Sequence, residues 1–200
     1  MKILVCGDSF AADWTVKYKD KKGWINLLSE KYDVTNLAQA GCSVYKIYKQ
    51  IFSQNPNDYD VIILSHTAYT RIFTEHHPVH YNDSLHSNCD FIYNDVVFHS
   101  ESNDKLKSVA DYFENYLSLE YSKFIYNLIE EKIDNYLTNF NGKLLHISNL
   151  PRDEDLYQFE NLIDLSHITD THPGLMNHLS DEGNIKQFKI IDGYINVNLS

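Results

Sequence analysis

Short, uninterrupted apolar runs separated by amphipathic segments are the feature that most constrains how this 200-residue chain can fold. The runs at residues 2–6, 61–65 and 143–148 are too short for helices and are continuous, which is typical of strands buried on both faces. Residues 23–32 and 44–52 instead repeat their apolar side chains at helical spacing. Because parallel strands need helix-length crossovers, this alternation predicts an α/β fold. We expect three αβα layers around a central parallel sheet, doubly wound as in flavodoxin.

The rest of the sequence completes this pattern around one irregular segment. Four further elements are predicted, which are strands at 34–38 and, more weakly, 161–168, and helices at 105–140, in one or two pieces, and 180–195. Residues 67–104 are polar, rich in histidine and too long for an ordinary connection, so we expect an active-site insertion or a partly mobile lid. No Pro-, Gly- or Ser-rich linker divides the chain, which predicts one domain over residues 1–200.

Charge and composition exclude several classes of function. The 17 Lys and Arg against 28 Asp and Glu give a net charge of -11, which repels nucleic acids and anionic membrane surfaces. The first apolar run is too short for a signal sequence, and no later run approaches the roughly twenty residues of a membrane span. The three cysteines, Cys6, Cys42 and Cys89, are widely spaced, which fits neither a disulfide framework nor a zinc site. We therefore expect a folded cytoplasmic protein.

Blocks of small and polar residues occur in an order that carries a family resemblance. Gly7-Asp8-Ser9 comes directly after the first predicted strand, N-L-A-x-x-G-x-S spans residues 36–43 after the second, and H-L-S-x-x-G spans residues 178–183 near the C-terminus. This set resembles the SGNH, or GDSL-type, hydrolases over most of the chain. The resemblance implies a parallel α/β fold and the transfer of an acyl group from an ester to a serine.

The same resemblance implies which residues act. Ser9 corresponds to the nucleophile and His178 to the base, and acyl transfer needs both because a serine hydroxyl is inert at its free pKa. The backbone N–H groups of Ser9 and Gly41 correspond to two of the donors that stabilise the oxyanion. Asp8 is expected to accept hydrogen bonds from N–H groups of its own turn.

The third block departs from the family pattern. It is usually G-x-N-D, whereas this chain has S-H-T-A at residues 65–68, so the asparagine amide that would donate to the oxyanion is missing. Losing one such donor typically costs about 2.7–4 kcal/mol in other enzymes. Either Thr67, His66 or Arg71 substitutes for it, or the activity is weak or absent.

The base and its supporting acid leave alternatives open. The family's acid lies three residues before the histidine, where this chain has Leu175. His172 stands in the sequence D-T-H-P, with an acid one residue too close and no glycine at the expected distance. Spacing and the helix that follows favour His178 as the base, with His172 as the alternative. Asp170 is the best candidate to orient either histidine, and the other arrangement is a dyad supported by a backbone carbonyl.

Ten histidines raise the question of a metal site. Three of them, His76, His77 and His80, lie close together, and His86 and His99 follow in the same segment. Pro78 prevents a regular helix there, and no paired cysteines complete a tetrahedral set. We therefore expect solvated loop histidines, no metal and no organic cofactor.

These features predict a serine esterase, acyl hydrolase or acyltransferase that forms acyl-Ser9 from an ester of a small molecule or carbohydrate. The acidic charge disfavours anionic esters unless Arg71 stands at the pocket. The Tyr-rich residues 112–136 are predicted mainly as core, although they could line a substrate groove or a homo-oligomer face. The alternative is a catalytically impaired protein of the same fold that binds a carbohydrate or a protein partner. A flavodoxin-like nucleotide binder is disfavoured, because Gly7 is the only glycine before Gly23.

Overall fold

A five-stranded parallel sheet lies at the centre of the computed structural model, which describes residues 1–197. In chain order the strands are β1 (Lys2–Cys6), β2 (Asp33–Asn36), β3 (Val61–Ser65), β4 (Lys143–Ser148) and β5 (Leu162–Asp164). Their order across the sheet is β2-β1-β3-β4-β5, and every neighbouring pair is parallel. The predicted α/β fold with a flavodoxin-like parallel sheet is therefore confirmed.

Helices connect the strands and cover the sheet. They are α1 (Trp24–Lys31), α2 (Val44–Phe52), α3 (Tyr93–Ser100), α4 (Asp104–Asn115), α5 (Leu119–Leu137), α6 (Ser166–Thr171) and α7 (Asp181–Asn196). A short strand outside the main sheet, β6 (Pro173–Met176), lies between α6 and α7. Among residues 1–197, no helix is long and apolar enough to cross a membrane.

The alternation of side chains along β1 shows how the layers are built. Ile3 and Val5 pack in a core with residues of α1 and α7, whereas Leu4 and Cys6 pack in a second core with residues of α2 and α5. Successive side chains of a strand point to opposite faces, so both faces of the sheet are apolar and both are covered. This arrangement confirms the three αβα layers.

The segment at 67–104 is more ordered than its sequence indicates. It contains α3, which packs with α4 in a small separate core that includes Val96, Leu106 and Phe113. The expectation of solvated histidines is wrong for His77, which is only 1% exposed.

The structure decides one alternative and changes one boundary of the sequence interpretation. The helical residues 105–140, expected in one or two pieces, form two helices, because the chain breaks between Asn115 and Leu119. The fifth strand is shorter than predicted, since α6 begins at Ser166.

The topology concentrates the motif residues at one edge of the sheet. From β1 the chain leads on to β2 on one side, and β3 then pairs with β1 on the other side. The carboxyl ends of two strands at such a reversal flank the crevice where doubly wound proteins bind ligands. The residues that follow β1 and β3 therefore lie where a site is expected.

Candidate active site

The structure joins Ser9 and His178 by a direct contact. The distance from His178 Nε2 to Ser9 Oγ is 2.9 Å, within hydrogen-bond reach, although the two residues are 169 positions apart. Ser9 lies three residues beyond β1 and is only 5% exposed. The pair has the geometry in which a neutral imidazole can take the proton of a serine hydroxyl.

The turn that carries Ser9 is fixed by its own backbone and by Asp8. The carbonyl of Asp8 accepts hydrogen bonds from the N–H groups of Ala11 and Ala12, both at 3.0 Å. Its Oδ1 accepts from the N–H of Phe10 at 3.0 Å, which is the acceptor role expected for a short acid at a turn. The indole Nε1 of Trp14 donates to the carbonyl of Ser9 at 2.8 Å. These contacts orient the serine before any substrate is bound.

His178 stands on a strained tight turn between β6 and Leu179. Asn177 and His178 both have left-handed backbone conformations, with φ of 52° and 62°. Two consecutive non-glycine residues of this kind cost about 1–3 kcal/mol each, and such strain persists only where the surroundings enforce it. Ser180 stabilises the next element, because its Oγ accepts from the N–H of Gly183 and caps α7. The H-L-S-x-x-G block therefore combines the candidate base with a helix cap.

Asn177 ties this turn to the nucleophile, and the sequence analysis missed it. The side chain is fully buried, and its Nδ2 donates to the carbonyls of Ser9 at 3.2 Å and Ala12 at 2.8 Å. Its Oδ1 lies 1.7 Å from the point where a Cβ on Gly23 would stand, so only glycine fits there. The one available sequence signal was an asparagine next to the candidate base, since asparagine adopts the left-handed conformation more readily than most residues.

The ring of His178 packs against two aromatic side chains. Its centroid lies 4.7 Å from that of Phe10 and 5.2 Å from that of Trp14. This desolvation lowers the pKa of His178 below its usual 6.5, the nearby Asp8 carboxylate opposes the shift, and Arg71 adds to it. Because its pKa is lowered, the ring of His178 is neutral near pH 7. The residue as a whole nevertheless remains exposed.

Two backbone N–H groups at this edge are free to donate. Within residues 1–197, neither the N–H of Ser9 nor that of Gly41 has a hydrogen-bond acceptor. Gly41 has φ of 75°, and a Cβ there would stand 2.4 Å from Cys89 Sγ. Both the backbone conformation and the contact with Cys89 therefore require glycine at this position.

Thr67 and Arg71 are near this edge, but their polar groups are already engaged. The hydroxyl of Thr67 donates to the carbonyl of Cys42 at 3.2 Å, and Arg71 Nη1 donates to the same oxygen at 2.9 Å. Arg71 Nη2 also lies 3.0 Å from Asp8 Oδ2, forming a buried ion pair beneath the nucleophile. The single hydroxyl hydrogen of Thr67 therefore cannot replace the missing asparagine amide without leaving Cys42, and the guanidinium of Arg71 is held in place by Cys42 and Asp8.

His66 is not placed at the oxyanion position. Both of its ring nitrogens are engaged, Nδ1 with Glu130 Oε1 at 2.8 Å and Nε2 with His146 Nδ1 at 3.0 Å. All three side chains are at most 3% exposed, and the ring of Phe159 stacks on both imidazoles. Burial, with the neighbouring His66, lowers the pKa of His146 to about 2. His66 therefore belongs to a buried polar network between the sheet and α5.

The structure does not bring Asp170 or His172 to Ser9. Asp170 is exposed on α6, and within residues 1–197 it makes no hydrogen bond to His178. His172 instead has its Nδ1 2.7 Å from Thr171 Oγ1 and its Nε2 2.7 Å from Lys186 Nζ. No carboxylate among the described residues hydrogen-bonds His178, so the arrangement is a serine–histidine pair without an acid.

An aromatic pocket of about 200 Å³ shares Arg71 with this region. Tyr45, Tyr69, Tyr112 and Tyr121 are among its lining residues. Tyr112 and Tyr121 are 44% and 62% exposed, so the prediction that residues 112–136 are mainly core is wrong for much of that stretch. The tyrosines line a concave surface instead of filling the interior.

No protein-family model matches the sequence, and no curated protein matches it. The solved structures that are similar to it include the following two. One is an inferred lipolytic protein of the G-D-S-L family from Desulfitobacterium hafniense DCB-2, with 13% identity, a TM-score of 0.38 and coverage of 97% of this chain and 98% of that chain. The other is an inferred acylhydrolase from Bacteroides fragilis NCTC 9343, with 9% identity, a TM-score of 0.39 and coverage of 100% and 88%. Both names fall within the class of hydrolase that the sequence motifs resemble.

Proposed function

We propose that this protein is a serine acyl hydrolase or acyltransferase that acts on an ester of a small molecule or carbohydrate through an acyl-Ser9 intermediate. The observation that carries the proposal is the 2.9 Å contact between Ser9 Oγ and His178 Nε2. It stands at the carboxyl edge of a parallel sheet, which is where doubly wound proteins bind their ligands.

The first half of the proposed reaction forms the acyl-enzyme. Ser9 Oγ attacks the carbonyl carbon of the ester while Nε2 of neutral His178 takes the hydroxyl proton. The carbonyl electrons move onto oxygen, and the N–H groups of Ser9 and Gly41 are the donors available to that oxyanion. When the tetrahedral intermediate collapses, the ester C–O bond breaks and His178 returns the proton to the departing alcohol.

The second half releases the acyl group. A water molecule, or the hydroxyl of an acceptor, attacks the carbonyl carbon of acyl-Ser9, and His178 takes its proton. Collapse breaks the bond to Ser9 Oγ, which recovers the proton from His178. Hydrolysis and acyl transfer differ only in which hydroxyl enters at this step.

The charges around the pair favour a neutral ester. The chain carries a net charge of -11, which repels anionic substrates at long range. Arg71 is the cation expected to offset this, but its guanidinium lies 3.0 Å from the Asp8 carboxylate and is largely neutralised by it. The aromatic pocket beside Arg71 offers apolar and half-exposed tyrosine surface, which suits an acyl chain or a sugar ring.

One observation favours the second candidate function, a binding protein with impaired catalysis. Within residues 1–197, His178 Nδ1 has no carboxylate partner, and the hydroxyl of Thr67 is engaged with Cys42. In serine proteases, replacing the orienting acid by its amide lowers kcat about 10⁴-fold, so a pair without an acid is expected to be a slow catalyst.

A fluorophosphonate probe distinguishes the two functions. The probe reacts covalently with an activated serine, so we expect one label on the intact protein at Ser9, located by peptide mass spectrometry. Ser9→Ala should abolish the label, while His172→Ala, which alters a histidine remote from Ser9, should keep it. An intact, folded protein that takes up no label would support the binding function and contradict the proposal.

A further inference from the structure

Three imidazoles converge on one carboxylate in the segment at 67–104. Asp95 Oδ1 lies 2.9 Å from His80 Nε2 and 3.6 Å from His99 Nε2. Asp95 Oδ2 lies 3.4 Å from His77 Nε2. One potential ligand atom from each of His77, His80 and Asp95 falls within 4.8 Å of the other two. The same ring nitrogen of all three histidines therefore faces the same acid.

The local structure explains how the sequence brings these groups together. Asp95 and His99 are four residues apart on α3, so they lie on one face of that helix. His77 and His80 come from the irregular turn around Pro78. Because Pro78 prevents a helix there, His77 and His80 lie on a turn, and this turn faces Asp95 and His99 on α3.

The burial of His77 makes its Nε2 the strongest candidate for a ligand atom in the cluster. The residue is 1% exposed, and its Nε2 has no hydrogen-bond partner within residues 1–197. The nitrogen is aimed at Asp95 but does not meet the geometry of a hydrogen bond to it. A buried polar atom of this kind is normally satisfied, which is independent evidence for a ligand at this point.

The distances match those of ligands that share an ion. Four ligands placed tetrahedrally about 2.0–2.1 Å from a zinc ion are separated from one another by about 3.3 Å. Asp95 Oδ2 lies 3.1 Å from His80 Nε2 and 3.4 Å from His77 Nε2, both near that value, and the other oxygen, Oδ1, lies 3.6 Å from His99 Nε2. A hydrogen-bonded cluster without metal is the competing arrangement, in which His77 Nδ1 accepts from backbone N–H groups of Val79 and His80 at 3.3 and 3.4 Å.

We propose that His77, His80, Asp95 and His99 form a structural site for a divalent transition metal of the zinc class. His77, His80 and Asp95 supply three ligand atoms that lie within 4.8 Å of one another, and His99, outside that group but with its Nε2 3.6 Å from Asp95 Oδ1, is proposed as the fourth. Imidazole nitrogen suits zinc, cobalt and nickel better than calcium or magnesium. Binding through His77 Nε2 places the proton on Nδ1, so the two long backbone contacts to that nitrogen open as the metal enters.

The site would stabilise the segment that holds Gly41. The N–H of Asp90 donates to the carbonyl of Gly41 at 3.0 Å, and Asp90 Oδ2 accepts from the N–H of Ser43 at 2.6 Å. Asp90 lies between the turn with His77 and His80 and the helix with Asp95 and His99. A metal that joins the turn to the helix would therefore hold in place the segment around Asp90, which is hydrogen-bonded to Gly41.

Zinc binding to the tag-free chain tests the proposal. After chelation and desalting, we expect titration calorimetry with Zn²⁺ to show one equivalent, and Co²⁺ to give the intense visible absorption of tetrahedral coordination. Asp95→Asn and His99→Gln change partly exposed side chains conservatively and should weaken Zn²⁺ binding by at least about 10-fold, the smallest loss typical even of outer-shell changes. Circular dichroism checks that both variants are folded.

His76→Ala is the matched control. His76 is exposed and stands next to His77, but it does not belong to the cluster, so its replacement should leave zinc binding unchanged. The absence of stoichiometric binding to the wild-type chain would overturn the proposal. So would binding that His76→Ala weakens as much as Asp95→Asn, because it would indicate chelation by surface histidines.

Discussion

The two clusters of reactive side chains in this protein are assembled in opposite ways. Ser9 and His178 are 169 positions apart and meet because a parallel sheet brings its strand ends to one edge. The four side chains of the candidate metal site all come from residues 77–99 and meet through a turn and a short helix. The first cluster therefore depends on the whole fold and the second on one segment. The sharpest tests are therefore changes that affect the Ser9–His178 pair and leave the candidate metal site intact, or the reverse.

Removing the base should give the largest effect. We expect His178→Ala to lower kcat for an aryl acetate by about 10³-fold or more, since a serine hydroxyl without its base is inert. The melting temperature should change little, because the residue as a whole is exposed and its left-handed backbone conformation is equally strained with alanine. His172→Ala should keep most of the turnover. Equal losses in the two variants would contradict the assignment of His178.

The next effect concerns Asn177 as a positioning residue. Asn177→Gly keeps the left-handed backbone accessible but removes the amide that holds the turn to Ser9 and Ala12. A misplacement of about 1 Å can cost about 100-fold in rate, so we expect kcat to fall on that scale with a much smaller change in KM. Steady-state kinetics measure the split. If Asn177→Gly retains full kcat, the side chain does not position His178.

Removing zinc should act on stability more than on the serine. At a Zn²⁺ concentration about 100-fold above Kd, binding contributes about 2.7 kcal/mol, which corresponds to a fall of about 5–10 °C in the melting temperature on chelation. Differential scanning calorimetry measures that fall. Fluorophosphonate labelling of Ser9 should persist in the chelated protein, because the contact with His178 belongs to the sheet. Loss of both together would show that the two clusters are not independent.

The smallest effect is on pH dependence. His178 must be neutral to accept a proton, and its pKa is lowered below 6.5, so turnover should be retained as the pH falls and be lost only below 6.5. Asp8→Asn removes the carboxylate that raises this pKa and should move the midpoint to still lower pH. The pH profile of kcat/KM measures both. A midpoint above 6.5 in the wild-type chain would contradict the desolvation of the ring.

The sheet and the first motif were predictable because their signals are local. The runs that became β1, β3 and β4 are continuous and apolar, and their alternation with helices dictates parallel pairing. The motif blocks also select Ser9 and His178, whose side chains lie 2.9 Å apart in the structure. The boundary error at β5 arose because α6 begins at Ser166, within a mixed apolar and polar stretch.

The polar interior was not predictable from local patterns. His66 pairs with Glu130 and His146, which are 64 and 80 positions away, and nothing in the neighbouring sequence distinguishes it from a site residue. Asp170 was chosen by spacing, but α6 turns it to solvent. Pro78 and the lack of paired cysteines speak against a metal site in the sequence, but the grouping of His77, His80 and Asp95 depends on how a turn around Pro78 packs against α3, which no local pattern reports.

Because Ser9 and His178 are 169 positions apart, the chain can be divided into two fragments that each carry one member of the pair. A cut between α4 and α5 would place Ser9 with β1, β2 and β3 on one fragment and His178 with β4 and β5 on the other. Neither fragment contains both members of the pair, so ester turnover would arise only when β3 and β4 pair again across the cut. If the fragments were fused to two interacting proteins, association of those proteins would restore the turnover of a chromogenic ester. The colour would then report the pairing of β3 with β4.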